Sequence, residues 1–198
     1  MPYYYVAISA VAGICFAFGV LYLFIGLRRK NDKPLNLTFA LFALAYSGTL
    51  LNGLRWYSAT TVAEYIAAAR YNPIYLVAAF AGLIWYVAYY THVRPRIFLS
   101  FLTALIIVPA IAVIINPTTV YGEISGLTYI TLPWGEQLAD LDATGSLWLD
   151  IFSVAQLGAL GFIIFAILRQ FLRGERKNAA ILGLGMLWFI IAPVSYTH

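Results

Sequence analysis

The sequence predicts an all-α, polytopic membrane protein built as a bundle of six transmembrane helices. Three observations predict it. The 198 residues are 63% hydrophobic and 10% charged, with mean hydropathy +0.84, whereas a soluble domain carries about 25% charged residues. The apolar runs approach or exceed the roughly 20 residues that cross a bilayer core. The charges are also sorted along the chain. Ten of the twelve Lys/Arg fall in three clusters: Arg28, Arg29, Lys30 and Lys33; Arg94 and Arg96; Arg169, Arg173, Arg176 and Lys177. Glu64, Glu123, Glu136, Asp140, Asp142 and Asp150 lie in or beside the connections between these clusters. Basic loops that alternate with base-poor ones, one apolar run apart, follow the positive-inside rule.

The first span is read at 4–27. It has no basic residue before it and no small-residue cleavage site, so it is not expected to be a removed signal peptide. It contains the single Cys15, which leaves no intrachain disulfide to form. The basic turn 28–34 leads into the second span, 35–57. The third, 66–91, is interrupted by Asn72-Pro73. Proline lacks a backbone donor and kinks or ends a helix, so Thr61–Tyr71 is either the outer part of a kinked helix or a separate interfacial helix. The turn 92–96 precedes the fourth span, 97–115, in which Pro109 predicts a bend. Loop 116–147 carries no Lys or Arg. Its stretch Gly126–Gly135 has the β-type residues of a short hairpin, and Glu136–Asp142 reads as one or two helical turns. Leu127, Tyr129, Ile130, Leu132 and Trp134 would dissolve poorly in water, so the loop is expected to fold as a lid over the outer mouth of the bundle. Spans 148–172 and 179–195 follow, joined by the basic turn 173–178. Loops 28–34, 92–96 and 173–178 are then cytoplasmic, both termini lie outside, and the protein sits in a cytoplasmic-type (inner) membrane. Residues 1–198 form one domain.

Several function classes are excluded at this level. The runs are too long and lack the period-2 alternation of a membrane barrel. Every basic cluster flanks an apolar segment, so no soluble basic domain is present to bind nucleic acid. No metal-ligand spacing, Gly-rich phosphate loop or nucleophile–base pair occurs, and no enzyme activity is expected. Only His92 and His198 are present, which leaves no paired haem ligands inside the membrane. Lys30, Lys33 and Lys177 all lie in loops, so no span offers a lysine for a retinal Schiff base. The residues name no cofactor.

The candidate site residues are those that a lipid-facing helix would not carry. Arg55 and Arg70 break the positive-inside pattern and fall in the outer third of their spans, where a charge must snorkel, pair or face water. Glu64 and Asp150 lie at similar depth and are their candidate partners. Such pairs either lock helices together or leave the arginines to contact a ligand. Ala45, Gly48, Asn52 and Arg55 share a helical face that grows more polar outward, as the wall of an outer cavity would. Tyr71, Tyr75, Ala78, Gly82, Tyr86 and Tyr89 share a face of the third span. Its large–small–large order fits close helix packing or a groove for an apolar group. Asp150 and Ser153, with Gln156 nearby, are expected to look inward from the fifth span. Trp56, Tyr57, Tyr65, Trp134 and Trp148 read as anchors at the outer boundary.

A set of stretches in this order resembles the seven-helix N-terminal sensor region of histidine kinases and diguanylate cyclases. They are Leu-Arg-Arg-Lys-Asn-Asp-Lys-Pro (27–34), Leu-Thr-Phe-Ala-Leu-Phe-Ala-Leu-Ala-Tyr-Ser-Gly (37–48), Ala-Ala-Arg-Tyr-Asn-Pro-Ile-Tyr-Leu-Val-Ala-Ala-Phe (68–80), Tyr-Val-Ala-Tyr-Tyr-Thr (86–91), Asn116-Pro117, and Thr-Gly-Ser-Leu-Trp-Leu-Asp (144–150). The resemblance covers essentially the whole chain, and its motifs are apolar and degenerate. It implies a membrane sensor domain. Two departures stand out: only six spans are present, without the seventh helix that leads to an output domain, and Thr118 stands where the family often has His. Two functions are therefore expected from the sequence. The first is a sensor or receptor-like domain that binds a small or amphipathic ligand at its outer face, through Arg55, Arg70, Asn52, Tyr71, Tyr75, Glu64, Asp150 and Ser153. The second is an accessory subunit of a larger membrane complex, with lipids, other membrane proteins or further copies of the chain as partners.

Overall fold

A computed structural model describes residues 3–116, 118 and 121–194, with the side chains of the last helix described as far as Gly185. Helices α1 (Tyr3–Arg28), α2 (Lys33–Tyr57), α3 (Val62–Ala69), α4 (Asn72–Tyr90) and α5 (Arg96–Ile115) are followed by strands β1 (Tyr121–Thr131) and β2 (Gln137–Gly145) and by helices α6 (Leu147–Leu172) and α7 (Arg176–Val194). Among the described residues, five stretches are long and apolar enough to cross a membrane: α1, α2, Val62–Tyr90, α5 and α6. Helix α7 occupies the sixth expected span as far as Val194. Residue 195 and the termini expected outside lie beyond the described residues.

The helix boundaries follow local chemistry. Pro34 and Pro73 sit in the first turns of α2 and α4, where a missing N–H removes no intrahelical bond. The interruption at Asn72-Pro73 is thus resolved in favour of two helices. Helix α3 ends at Ala69, Arg70 and Tyr71 form the turn, and α4 starts afresh. Helix α3 has its own cap: the Thr61 hydroxyl accepts the Glu64 N–H at 3.2 Å, and the Glu64 carboxylate accepts the Thr60 N–H at 3.0 Å and its hydroxyl at 2.8 Å. Helix α5 runs without interruption through the buried Pro109. Helix α6 ends in a left-handed Gly174 (φ +92°). There the Gly174 N–H reaches the Phe171 carbonyl at 3.1 Å and the Glu175 N–H reaches that of Gln170 at 3.3 Å, a Schellman closure. His92 also adopts a positive φ (56°), in the turn between α4 and α5.

The main core joins α2, α4, α5 and α6, centred on Ile84, Val87, Leu99, Ile106, Ala155 and Ala159. Small residues set the spacing. A Cβ on Gly82 would lie 2.6 Å from the Phe42 backbone nitrogen and 2.9 Å from its Cα, so the backbones of α4 and α2 meet without a side chain between them. Gly48 is roofed by the ring of Tyr75, and Gly19 of α1 by Leu44. Polar side chains bridge helices: Ser47 donates to the Ala12 carbonyl at 2.8 Å, Asn52 to that of Ala68 at 3.1 Å, and Trp85 to the Thr103 hydroxyl at 3.2 Å. Each such bond is worth about 1 kcal/mol in a membrane. Helix α1 rests chiefly on α2 and leaves Ile14, Phe16, Phe18 and Phe24 exposed.

The loop between α5 and α6 is an antiparallel hairpin running from Tyr121↔Gly145 to Thr131↔Gln137, with register shifts near Ile124. Its tip is the three-residue loop Pro133-Trp134-Gly135. The loop is closed by the Leu132 N–H on the Glu136 carbonyl at 2.7 Å, with Gly135 left-handed (φ +89°), as such hairpin loops require. The hairpin is longer than the Gly126–Gly135 stretch expected to form one. The one or two helical turns expected over Glu136–Asp142 are instead strand β2. Pairing with β1 satisfies that backbone and buries Leu138 and Ala139, which outweighs the local helix propensity. The hairpin packs against the ends of α1, α2 and α3. Leu132 and Leu138 meet Tyr4, Ile8, Leu54 and Tyr57, while Ala139, Leu127 and Leu141 meet Ala59, Tyr65 and Ala69.

Candidate functional site

Beneath the hairpin lies a half-open cavity of about 180 Å³ between α3, α4, α5 and α6. Its aromatic rim is Trp56 at the end of α2, Tyr65 of α3, Tyr121 of β1 and Trp148 of α6. The rest of the lining is mostly apolar, with Leu76 and Val77 of α4, Ala110 and Val113 of α5, and Leu149 and Phe152 of α6. Pro109, inside the continuous helix α5, and the break at Arg70, Asn72 and Pro73 complete the wall. Pro73 and Pro109 thus both line this space.

The hairpin is coupled to the rim through its own carboxylate. The Tyr65 phenol lies close to the Asp140 carboxylate of β2, and the ring of Tyr65 stacks on Trp56 with centroids 6.3 Å apart. Burial, with the Asp140 charge second, pushes the Tyr121 phenol above its ordinary pKa, so it stays protonated at neutral pH. A second carboxylate fastens the hairpin tip. Glu136 accepts the backbone N–H of Tyr3 and, at 3.0 Å, that of Tyr4, filling donors that the first turn of α1 leaves open.

Arg70 is the one candidate binding residue that lines the cavity, and it is the one charged residue in the lining. It is exposed at the mouth, where its Nη2 donates to the Ile114 carbonyl at 3.2 Å, one of the carbonyls left open at the end of α5. The remaining candidates are placed elsewhere. Arg55 is exposed. The expected arginine–acid pairs do not form among the described residues, because Glu64 is spent on capping α3 and Asp150 is exposed in the first turn of α6. Asn52 is buried against Ala68 rather than opening onto a cavity, so the graded polar face of α2 is a helix contact. Tyr75 covers Gly48, and Tyr71 is 55% exposed beside Arg70, with the guanidinium 6.0 Å from its ring centroid. The face from Tyr71 to Tyr89 is therefore used for close packing, through Gly82. Ser153 donates to its own Leu149 carbonyl at 2.8 Å and is exposed with Asp150. The inward face of α6 is instead Ala155, Ala159, Phe162 and Ala166. Hydroxyls bonded back to the i−4 carbonyl have no need to face inward, which is why that expectation fails.

With this geometry in hand, comparison with known proteins gives no further help: no family model, no curated protein and no solved structure matches the chain. Any functional reading rests on the residues themselves. Several cavity residues escape sequence reasoning because they look like ordinary apolar filler. Only Pro109 and Asn72-Pro73 signalled where regular packing gives way.

A cluster at the other end of the bundle gathers two of the basic turns. Gln170, 2% exposed, donates to Glu175 at 3.0 Å. Hydrogen bonds from Gln170 and Asn178, then the charges of His92 and Arg173, hold the Glu175 carboxyl below its ordinary pKa. The turns after α4 and after α6 therefore lie at the same end of the bundle, opposite the hairpin.

Proposed function

We propose that the chain is a membrane-embedded, sensor-like domain that binds a small amphipathic ligand in the cavity beneath the hairpin. The observation that carries this reading is the cavity itself: a mostly apolar lining, an aromatic rim, a single arginine at the mouth, and a hairpin strand contributing Tyr121. A concave, mostly apolar space with few convergent polar groups is the form a small-molecule site takes. Applied to the basic turns, the positive-inside rule puts them in the cytoplasm of an inner-type membrane and the hairpin outside. A ligand arriving from that side acts only through different affinity for two packings. The α3–α4 break and the hairpin are the elements whose packing it would bias. The resemblance to the sensor region of histidine kinases and diguanylate cyclases supports the same reading.

Toluene, followed by tryptophan emission of the purified protein, tests it. Trp56 and Trp148 line the space, so saturable quenching is expected in the native chain and not in Val113→Phe, which fills the space. Identical titrations for the two proteins would refute the reading. One observation favours a second role, as an accessory subunit: α1 rests chiefly on α2 and presents apolar residues along its length. Stoichiometric co-purification with a larger membrane complex, or with further copies of the chain, would support it.

A further inference from the structure

We infer that the cavity selects a monoanion whose apolar part is the size of a single ring, that is, an aromatic or compact-alkyl carboxylate. This rests on the ligand-binding reading above and names its ligand class.

Size gives the first restriction. The space of about 180 Å³ is close to the roughly 150 Å³ of an apolar cavity that takes up benzene, and well below the roughly 300–1,000 Å³ of sites for drug-sized molecules. A long acyl chain, a quinone with its tail or a tetrapyrrole exceeds this space and would have to project through its open side. The rim gives the second. Trp56, Tyr65, Trp148 and Phe152 present ring surfaces, which favour an aromatic guest through offset or edge contacts.

Charge gives the third. Arg70 spends one donor on the Ile114 carbonyl. Its guanidinium carries further N–H groups in a fork that matches a carboxylate. No acidic residue lines the cavity. The first turns of two long helices also reach it: Asn72 and Pro73 open α4, and Trp148 and Leu149 lie in the first turn of α6. Helix N-termini favour negative charge. Two carboxylates oppose this trend from behind the rim. Asp140 lies close to the Tyr65 phenol, and Asp150 is exposed on α6 outside the lining. The negative end of α5 is met by Arg70 itself. Asn72 Oδ1, a buried acceptor without a hydrogen bond among the described residues, and the aromatic rings of the lining are the groups an ammonium could use instead. The arginine and the two helix starts set the net preference at the mouth for an anion.

Four probes of graded chemistry read this out by tryptophan emission and calorimetry on the intact detergent-solubilised protein: phenylacetate, phenethylamine, toluene and decanoate. Phenylacetate is expected to bind most tightly, phenethylamine most weakly, and decanoate not to displace phenylacetate. Arg70→Gln is expected to weaken phenylacetate by about ten- to a hundredfold, the range for a lost charge-assisted hydrogen bond, while toluene binding stays unchanged. Unaltered toluene affinity also shows that the variant is folded, and Arg70→Lys should restore part of the loss. Equal affinity for phenylacetate and phenethylamine, or no effect of Arg70→Gln, would overturn the anion preference and leave the cavity reading standing. Displacement by decanoate would overturn the size limit. Failure of every probe, toluene included, would overturn the ligand-binding reading itself.

Discussion

Gly82 and Glu136 show how single residues set distances here. At Gly82, a Cβ would meet backbone atoms of Phe42 rather than a movable side chain, so Gly82→Ala must push α4 away from α2. Overpacking of this kind costs about 1–3 kcal/mol. The loss should appear as a lower midpoint in denaturant or heat, whereas Gly161→Ala, which meets nothing within 4 Å, should not destabilise. Glu136 contributes through charge. Partial desolvation raises its pKa, but hydrogen bonds from Trp134 and the backbone of Tyr4 and Tyr3 outweigh that and hold it below the ordinary value of 4.5. A carboxyl whose folded pKa is depressed stabilises the fold above its unfolded pKa and loses that contribution as pH falls through the folded value. The tether between the hairpin tip and α1 should therefore hold at neutral pH and loosen on acidification through and below the carboxylate range. Hydrogen exchange at the Tyr4 amide would report it, and Glu136→Gln should flatten the pH dependence.

At the scale of elements, what the sequence makes legible is what depends on composition and short-range chemistry. Long apolar runs bounded by basic turns place α1, α2, α5 and α6 close to their observed bounds. The break at Asn72-Pro73 is visible because proline acts locally. Strand β2 is not visible, because Gln137–Asp142 has no strong preference of its own and takes its conformation from β1 and from the helix ends beneath it. The polar candidates divide for a similar reason. A helical wheel identifies which residues share a face but not what that face meets. Asn52 and Gly48 thus look like a cavity wall and turn out to touch α3 and Tyr75, whereas Arg70 lies where α3 breaks off and reaches the cavity mouth. The cavity arises between elements distant in sequence, so its lining by Val113, Leu149 and Phe152 carries no local signal.

For the molecule as a whole, the two ends of the bundle differ in chemistry. One carries the hairpin, the aromatic rim and most of the acids; the other gathers the basic turns. The positive-inside rule turns this asymmetry into an orientation. It is checked by replacing Cys15 and introducing cysteines one at a time at Asn31, Gly174 and Ser125. An impermeant thiol reagent added to intact cells should label only the Ser125 position, and labelling of all three would refute the orientation. The Glu136 tether carries a further consequence for biogenesis. The ribosome delivers α1 and α2 to the membrane long before residue 136 has been made, because synthesis runs from the N-terminus. The first turn of α1 therefore cannot acquire this acceptor until α2 to α5 and the hairpin have been made. A nascent chain arrested before Leu132 should hold α1 by its contacts with α2 alone, and the first turn of α1 should become protease-resistant only when the tip of the hairpin arrives.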